Sequence, residues 1–205
     1  MSMLSLSALF WGVDLCRDLP RELTHGTWVV KGELERARAF IAREFVSLTE
    51  EHLGASPTAQ MVVAKNRYLG SVSDMLELRH RDETVGVLIG APEDWSTYYL
   101  RVLAVAPRFQ RPGVVRRLLN ECLCEPLRVH GVERIVAETS PANRGMPRIF
   151  DRYGFYASGQ QLTDRWGPLV RFVKFLDPAC EAAFLRRSGA PRSFDSTPKK
   201  EGGQS

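Results

Sequence analysis

Tyr98-Tyr99-Leu100-Arg101-Val102-Leu103-Ala104-Val105-Ala106-Pro107-Arg108-Phe109-Gln110-Arg111-Pro112-Gly113-Val114-Val115-Arg116 is the stretch whose reading decides the fold. Tyr98 to Val105 is rich in aromatic and branched residues, reads as a strand, and is ended by Pro107. From Gly113 the period changes: Val115, Leu118, Leu119 and Cys122 share one helical face, while Arg116, Arg117 and Asn120 point to solvent. A helix N-terminus offers unpaired N–H groups and partial positive charge, so this strand–turn–helix junction is suited to a phosphate. Gly113 lets the backbone approach a ligand, and Arg108, Arg111 and Arg116 add cations around the turn. Taken alone the signal is weak, because most such glycines serve tight turns and most surface arginines are solvated.

The flanking chain extends the pattern in both directions. Upstream, Thr27–Val30 reads as a strand, and Leu34, Ala37, Ile41, Phe45 and Leu48 form one face of a helix that Gly54 follows. A short helix near Ala59–Asn66 comes next, then strands Asp74–His80 and Thr84–Ile89 about the polar turn Arg81-Asp82-Glu83. Downstream lie a strand at Glu133–Thr139, a short helix at Met146–Tyr153 and two final strands, Phe155–Gln160 and Leu169–Leu176. Residues 1–25 read as an N-terminal extension and 179–205 as a helical stub and a disordered basic tail, leaving 26–178 as one α/β domain.

Gln110-Arg111-Pro112-Gly113-Val114-Val115 matches the first four positions of a Q/R-x-x-G-x-G/A motif and follows the strand end Val105-Ala106-Pro107. Asn143, Met146, Ile149, Phe150 and Gly154-Phe155 fall in the register of N-x-x-A-x-x-L-Y-x-x-x-G-F. In both segments, and in element order from Thr27 to Leu176, the chain resembles the GNAT superfamily of acyl-CoA-dependent N-acyltransferases, as a divergent member. The resemblance implies a central mixed, mostly antiparallel sheet flanked by helices on both faces. It implies acetyl-CoA or another acyl-CoA as co-substrate, with no metal, and an amine on a small molecule or protein as acceptor.

Carried over residue by residue, the loop positions Gln110, Arg111, Gly113, Val114 and Val115 hold the pyrophosphate, and Arg116 meets the 3′-phosphate or solvent. Leu103 and Val105 pair their backbone with the pantetheine arm, where an N–H polarises the thioester carbonyl. Asn143 touches the pantetheine side, and Phe150 lies beside it in the second motif. Three departures stand out. Pro112 removes a loop N–H, and Val115 stands where the motif has Gly or Ala. Phe150 replaces the tyrosine that often protonates the leaving thiolate, which leaves Tyr153, a packed aromatic on the bland reading, as the nearby phenol. Tyr99 stands where some relatives carry a general-base glutamate, so Tyr98, Tyr99, Glu138 and Asp94 are the groups available to take a proton from an amine of ordinary pKa. The catalytic candidates are therefore Tyr99, Glu138 and Tyr153. The acceptor side is expected from Arg36–Leu53, Ala91–Thr97 and Gln161–Gly167, which include Asp94, Trp95, Asp164 and Trp166. Val115 and Phe150 also suit an alternative: a degenerate domain that binds acyl-CoA or a protein partner without turnover.

Charge and composition set outer limits. With 205 residues, 44% hydrophobic and 25% charged, the chain is neither disordered throughout nor fibrous. The net charge of +4 is concentrated at the end: Arg186 to Ser205 holds five basic and two acidic residues, so the remaining chain is nearly neutral. That tail is interrupted by acids and glycines, and no nucleic-acid partner is expected from it. Cys16, Cys122, Cys124 and Cys180 lack metal or disulfide spacing. No apolar run is long enough for a membrane span, and Met1 to Cys16 lacks the basic start of a signal peptide. A cytoplasmic protein, with room for a homodimer, is the expectation.

Overall fold

The computed structural model describes residues 5–45, 59–110, 113–143, 145–163 and 166–189. Chain order is α1 Leu6–Trp11, β1 Arg21–Thr24, β2 Thr27–Lys31, α2 Leu34–Glu44, α3 Ala59–Val72, β3 Asp74–His80, β4 Glu83–Pro92 and β5 Thr97–Val105. A 3₁₀ turn, Pro107–Phe109, leads to α4 Val114–Leu119, a π-helical turn Asn120–Cys124 and α5 Glu125–Val129. Then follow β6 Arg134–Thr139, α6 Gly145–Arg152, β7 Tyr156–Thr163, β8 Gly167–Phe175 and α7 Pro178–Ser188.

The strands form one eight-stranded sheet in the order β1-β2-β3-β4-β5-β6-β8-β7. Only β5 and β6 run parallel; every other neighbouring pair is antiparallel. A parallel pair needs a crossover, and the α4–π–α5 run supplies it. The π turn has a local cause. Pro126 has no N–H for the Cys122 carbonyl, and its ring crowds that carbonyl, so Glu125 donates five residues back to Asn120 instead.

The sheet separates two apolar clusters. On one face Val114, Val115, Leu118, Leu119, Leu123 and Leu127 pack with Tyr98, Leu100, Val105, Ile135, Phe150 and Phe172. On the other, Ala37 and Phe40 of α2 pack on Met75, Val87, Ile89 and Ala104. Of the stripe read from the sequence, Ala37 is buried and Leu34, Ile41 and Phe45 pack against this cluster, while Phe40, outside the stripe, is also fully buried; Leu48 and Gly54 lie outside the described residues.

At both ends the described structure continues past residues 26–178. β1 joins the sheet beside β2, and Leu23, Val13 and Leu15 are buried, so the segment before residue 26 is built into the domain. Ser7 donates to the buried carboxylate of Asp74, whose pKa is raised chiefly by burial. At the other end α7 packs Phe184 on Phe175 and Tyr156, with ring centroids 5.2 and 5.6 Å apart. The Tyr156 hydroxyl donates to Glu181 at 2.6 Å. Of the basic residues counted in the tail, Arg192, Lys199 and Lys200 lie outside the described residues. Among the described residues no helix is long and apolar enough to cross a membrane.

Candidate active site

The parallel ladder is short. It runs from Thr97↔Arg134 to Leu100↔Ala137, after which β5 continues to Val105 and β6 to Thr139 without further pairing to each other. The two strands therefore part at Leu100 and Ala137. A bulge marks the same place: Ile89 pairs with Val102 and Gly90 with Leu100, which leaves Arg101 as the extra residue of β5. A bulge bends its strand and re-aims the side chain it carries. Gly90 is required opposite it, because a Cβ there would overlap the Tyr98 ring.

The ladder also fixes where the backbone of β5 points. Ala106 N–H bonds to the Val85 carbonyl at 2.8 Å, so 85/106 is a hydrogen-bonded pair. Antiparallel pairs alternate, so Val105 opposite Gly86 and Leu103 opposite Leu88 turn their N–H and C=O groups away from β4, toward the gap beside β6. In agreement, the Val105 carbonyl accepts from the Gln110 side-chain amide at 2.7 Å.

At the wide end of the gap stands the helix start. Gly113 has φ 105°, a left-handed value that disfavours any side chain, although a Cβ there would meet nothing within 4 Å. The first helical bond is Arg117 N–H to the Gly113 carbonyl at 2.8 Å. The amides of Val114, Val115 and Arg116 thus precede any intrahelical acceptor. The Val114 and Val115 side chains are buried under the helix with Leu118 and Leu119, so the branched Val115 fills core space. Arg116 is exposed, and Arg111 and Pro112 lie outside the described residues. Arg108 is not free for a phosphate: it pairs with Glu44 at 3.3 Å and with Glu83, and stacks on Phe109.

At the narrow end the structure brings together two of the three catalytic candidates. The Tyr99 hydroxyl donates to Glu138 Oε2 at 3.3 Å. Arg171 Nη1 donates to Glu138 Oε1 at 2.8 Å and its other nitrogen to Glu93. Glu138 pairs with Arg171 across β6 and β8, and only 10% of its side chain is exposed. Burial, then the Glu138 charge, raise the Tyr99 pKa, so it is a phenol and a donor at neutral pH. Burial opposes the Arg171 charge, but its bonds to Glu93 and Glu138 outweigh this and raise its pKa. The guanidinium of Arg101 lies over the Tyr99 ring, 5.6 Å from its centroid. Sequence reading did not single out Arg171, Glu93 or Arg101. The available signal was an arginine between the apolar Val170 and Phe172.

The other candidates stand elsewhere. Tyr153 packs against the cluster on the opposite sheet face, so the structure does not group it with Tyr99 and Glu138. Phe150 is 2% exposed, with ring centroids 4.9 Å from both Phe155 and Phe172, and is packed in the core. Asn143 is exposed and its side chain accepts the Met146 N–H at 3.3 Å, the bond of a helix cap. Tyr98 is fully buried on the opposite face, and burial followed by the Asp74 charge pushes its pKa well up. Asp94 closes its own turn, accepting from the Ser96 N–H at 2.8 Å. Burial opposes its charge, but the hydrogen bonds from Ser96 prevail and lower its pKa. Trp95 is 82% and Trp166 43% exposed at the rim; Asp164 lies outside the described residues. Among the described residues no group of three or more metal-ligating side chains occurs.

The sequence of residues 38–155, more than half of the chain, matches the model of the acetyltransferase (GNAT) family. The chain belongs to the GNAT family. The fold agrees. A GNAT family acetyltransferase from Elizabethkingia anophelis, solved with acetyl-CoA bound, superposes with a TM-score of 0.54 at 14% identity, over 74% of this chain and 99% of that one. The acetyl transferase from Salmonella typhimurium that modifies the N-terminal serine of ribosomal protein L7/L12 gives 0.58 at 14% identity, over 76% and 98%. The ribosomal-protein-S18-alanine N-acetyltransferase from Escherichia coli gives 0.53 at 19% identity, over 74% and 94%. No curated protein sequence matches this one. At these identities the likeness is one of fold.

Proposed function

We propose that this GNAT chain transfers an acetyl or other short acyl group from acyl-CoA to an amine, by direct attack on the thioester. The observation that supports it best is the gap between β5 and β6. Its wide end carries the helix N-terminus at Gly113, its wall the outward backbone of Leu103 and Val105, and its narrow end the Tyr99–Glu138 pair. Backbone amides and the helix start suit the pyrophosphate and pantetheine amides of coenzyme A. On this reading the thioester lies near Leu100 and Ala137, beside Glu138.

In the reaction the neutral amine nitrogen bonds to the carbonyl carbon, the nitrogen gives its extra proton to water, the C–S bond breaks, and coenzyme A leaves as thiolate. An alkyl ammonium must first lose a proton at neutral pH. Glu138 is the acceptor for it, directly or through one water, since a carboxylate holding two donors keeps further lone pairs. Arg171 and the Tyr99 hydroxyl hold that carboxylate in place. Phe150 has no proton to give and Tyr153 is packed against the core cluster, so on this reading the thiolate takes its proton from solvent. A small-molecule amine and a protein amine are both admitted.

Calorimetric titration with acetyl-CoA, paired with a thiol-release assay over a panel of amines, tests the reading. Binding in the micromolar range with amine-dependent thiol release is expected. Absence of binding at high micromolar concentration would overturn it, and binding without release to any amine would favour a non-catalytic acyl-CoA module.

A further inference from the structure

The two arginines at the narrow end are in opposite electrostatic situations. Arg171 is saturated, with Glu138 on one nitrogen and Glu93 on the other. Arg101 has no carboxylate partner among the described residues; it is exposed, and its guanidinium rests on one face of the Tyr99 ring. Its position is not that of an ordinary surface residue. It is the bulged residue of β5, directly after the last parallel pair, Leu100↔Ala137. The bulge therefore delivers a guanidinium with no ion pair of its own among the described residues to the place where donor and acceptor meet.

Over the whole site the two carboxylates and the two guanidiniums balance, but both carboxylates bond to Arg171 and neither is paired with Arg101. A reactant that carries a carboxylate of its own supplies the partner that Arg101 lacks. A guanidinium stacked by one face keeps its edge N–H groups free, and these form the bidentate pair that carboxylates accept.

We propose that Arg101 is a specificity residue that binds a carboxylate on one of the two reactants. The site then acts on an amine bearing an acid group or on an acyl-CoA whose chain ends in one. This rests on the acyl-transfer reading above.

Binding can be read without turnover, in wild type, Arg101→Gln and Arg101→Lys. N-acetyl derivatives of glycine, β-alanine and γ-aminobutyrate, each against its own carboxamide, are titrated into protein saturated with coenzyme A. Succinyl-CoA is compared with acetyl-CoA on the protein alone. The expected result is a preference of roughly tenfold or more for the acid in one series. Arg101→Gln brings that ratio to about one, and Arg101→Lys keeps part of it, as a point charge without the fork. Preference among the N-acetyl compounds puts the carboxylate on the acceptor; preference for succinyl-CoA puts it on the acyl chain. Ratios near one in both series, or a preference that survives Arg101→Gln, would overturn the proposal. Failure of wild type to bind coenzyme A or acetyl-CoA overturns the acyl-transfer reading itself, and is seen before any ratio is formed.

Discussion

The two ends of the gap between β5 and β6 are made of different material. The wide end is backbone: the outward N–H groups of Leu103 and Val105, and the amides of Val114, Val115 and Arg116 behind Gly113. Its side chains mostly look elsewhere, Val114 and Val115 into the core and Arg108 toward Glu44 and Glu83. The narrow end is side chain: Tyr99, Glu138, Arg171, Glu93 and Arg101. A backbone site tolerates sequence change as long as the strand, the turn and one left-handed residue persist. A side-chain site changes its chemistry with each substitution. Members of one fold can therefore share a cofactor cradle and differ in what they do at its end.

Three substitutions separate the two ends. Glu138→Gln should give the largest effect, a loss of roughly a hundredfold or more in kcat with acetyl-CoA affinity unchanged by calorimetry. A loss of acyl-CoA binding in that variant would mean that the ends are not independent. Gly113→Ala should do the reverse. A side chain at φ 105° costs of order 1–3 kcal/mol, so the loop shifts and acetyl-CoA affinity falls by about tenfold or more. At saturating donor its kcat should stay near wild type, and a kcat loss equal to that of Glu138→Gln would break the division. Tyr153→Phe should be smallest, within about twofold in both constants, because its ring packs on the opposite face. A large kcat loss there would restore Tyr153 as the proton donor to the thiolate.

Much of the fold was legible because it depends on period and punctuation. The strand Asp74–His80 matches its predicted bounds, and β4, β5, β6 and α6 differ from theirs by a few residues. β1 was missed: Arg21-Glu22-Leu23-Thr24 has one apolar residue, and its strand state comes from pairing with β2. α1 escaped for a similar reason, since six residues hold no periodic signal and its place is fixed by Ser7 on Asp74 and Trp11 on the Trp95 carbonyl.

The candidate site divides along the same line. Gly113 and its strand–turn–helix frame could be read because only glycine occupies that backbone conformation at no cost. Tyr99 and Glu138 could be picked from strand ends as isolated groups. Their contact, and the separation of Tyr153 and Phe150 onto the other face, depend on sheet register, and the bulge at Arg101 shifts that register by one residue. By itself the sequence determined the family, the sheet-and-helix order and the phosphate-type turn, since local backbone preference and spacing encode these. Only the tertiary structure decided that Arg171 is paired with Glu93 and Glu138 while Arg101 has no carboxylate partner among the described residues, because ion pairing is set by which side chains meet across strands far apart in the chain.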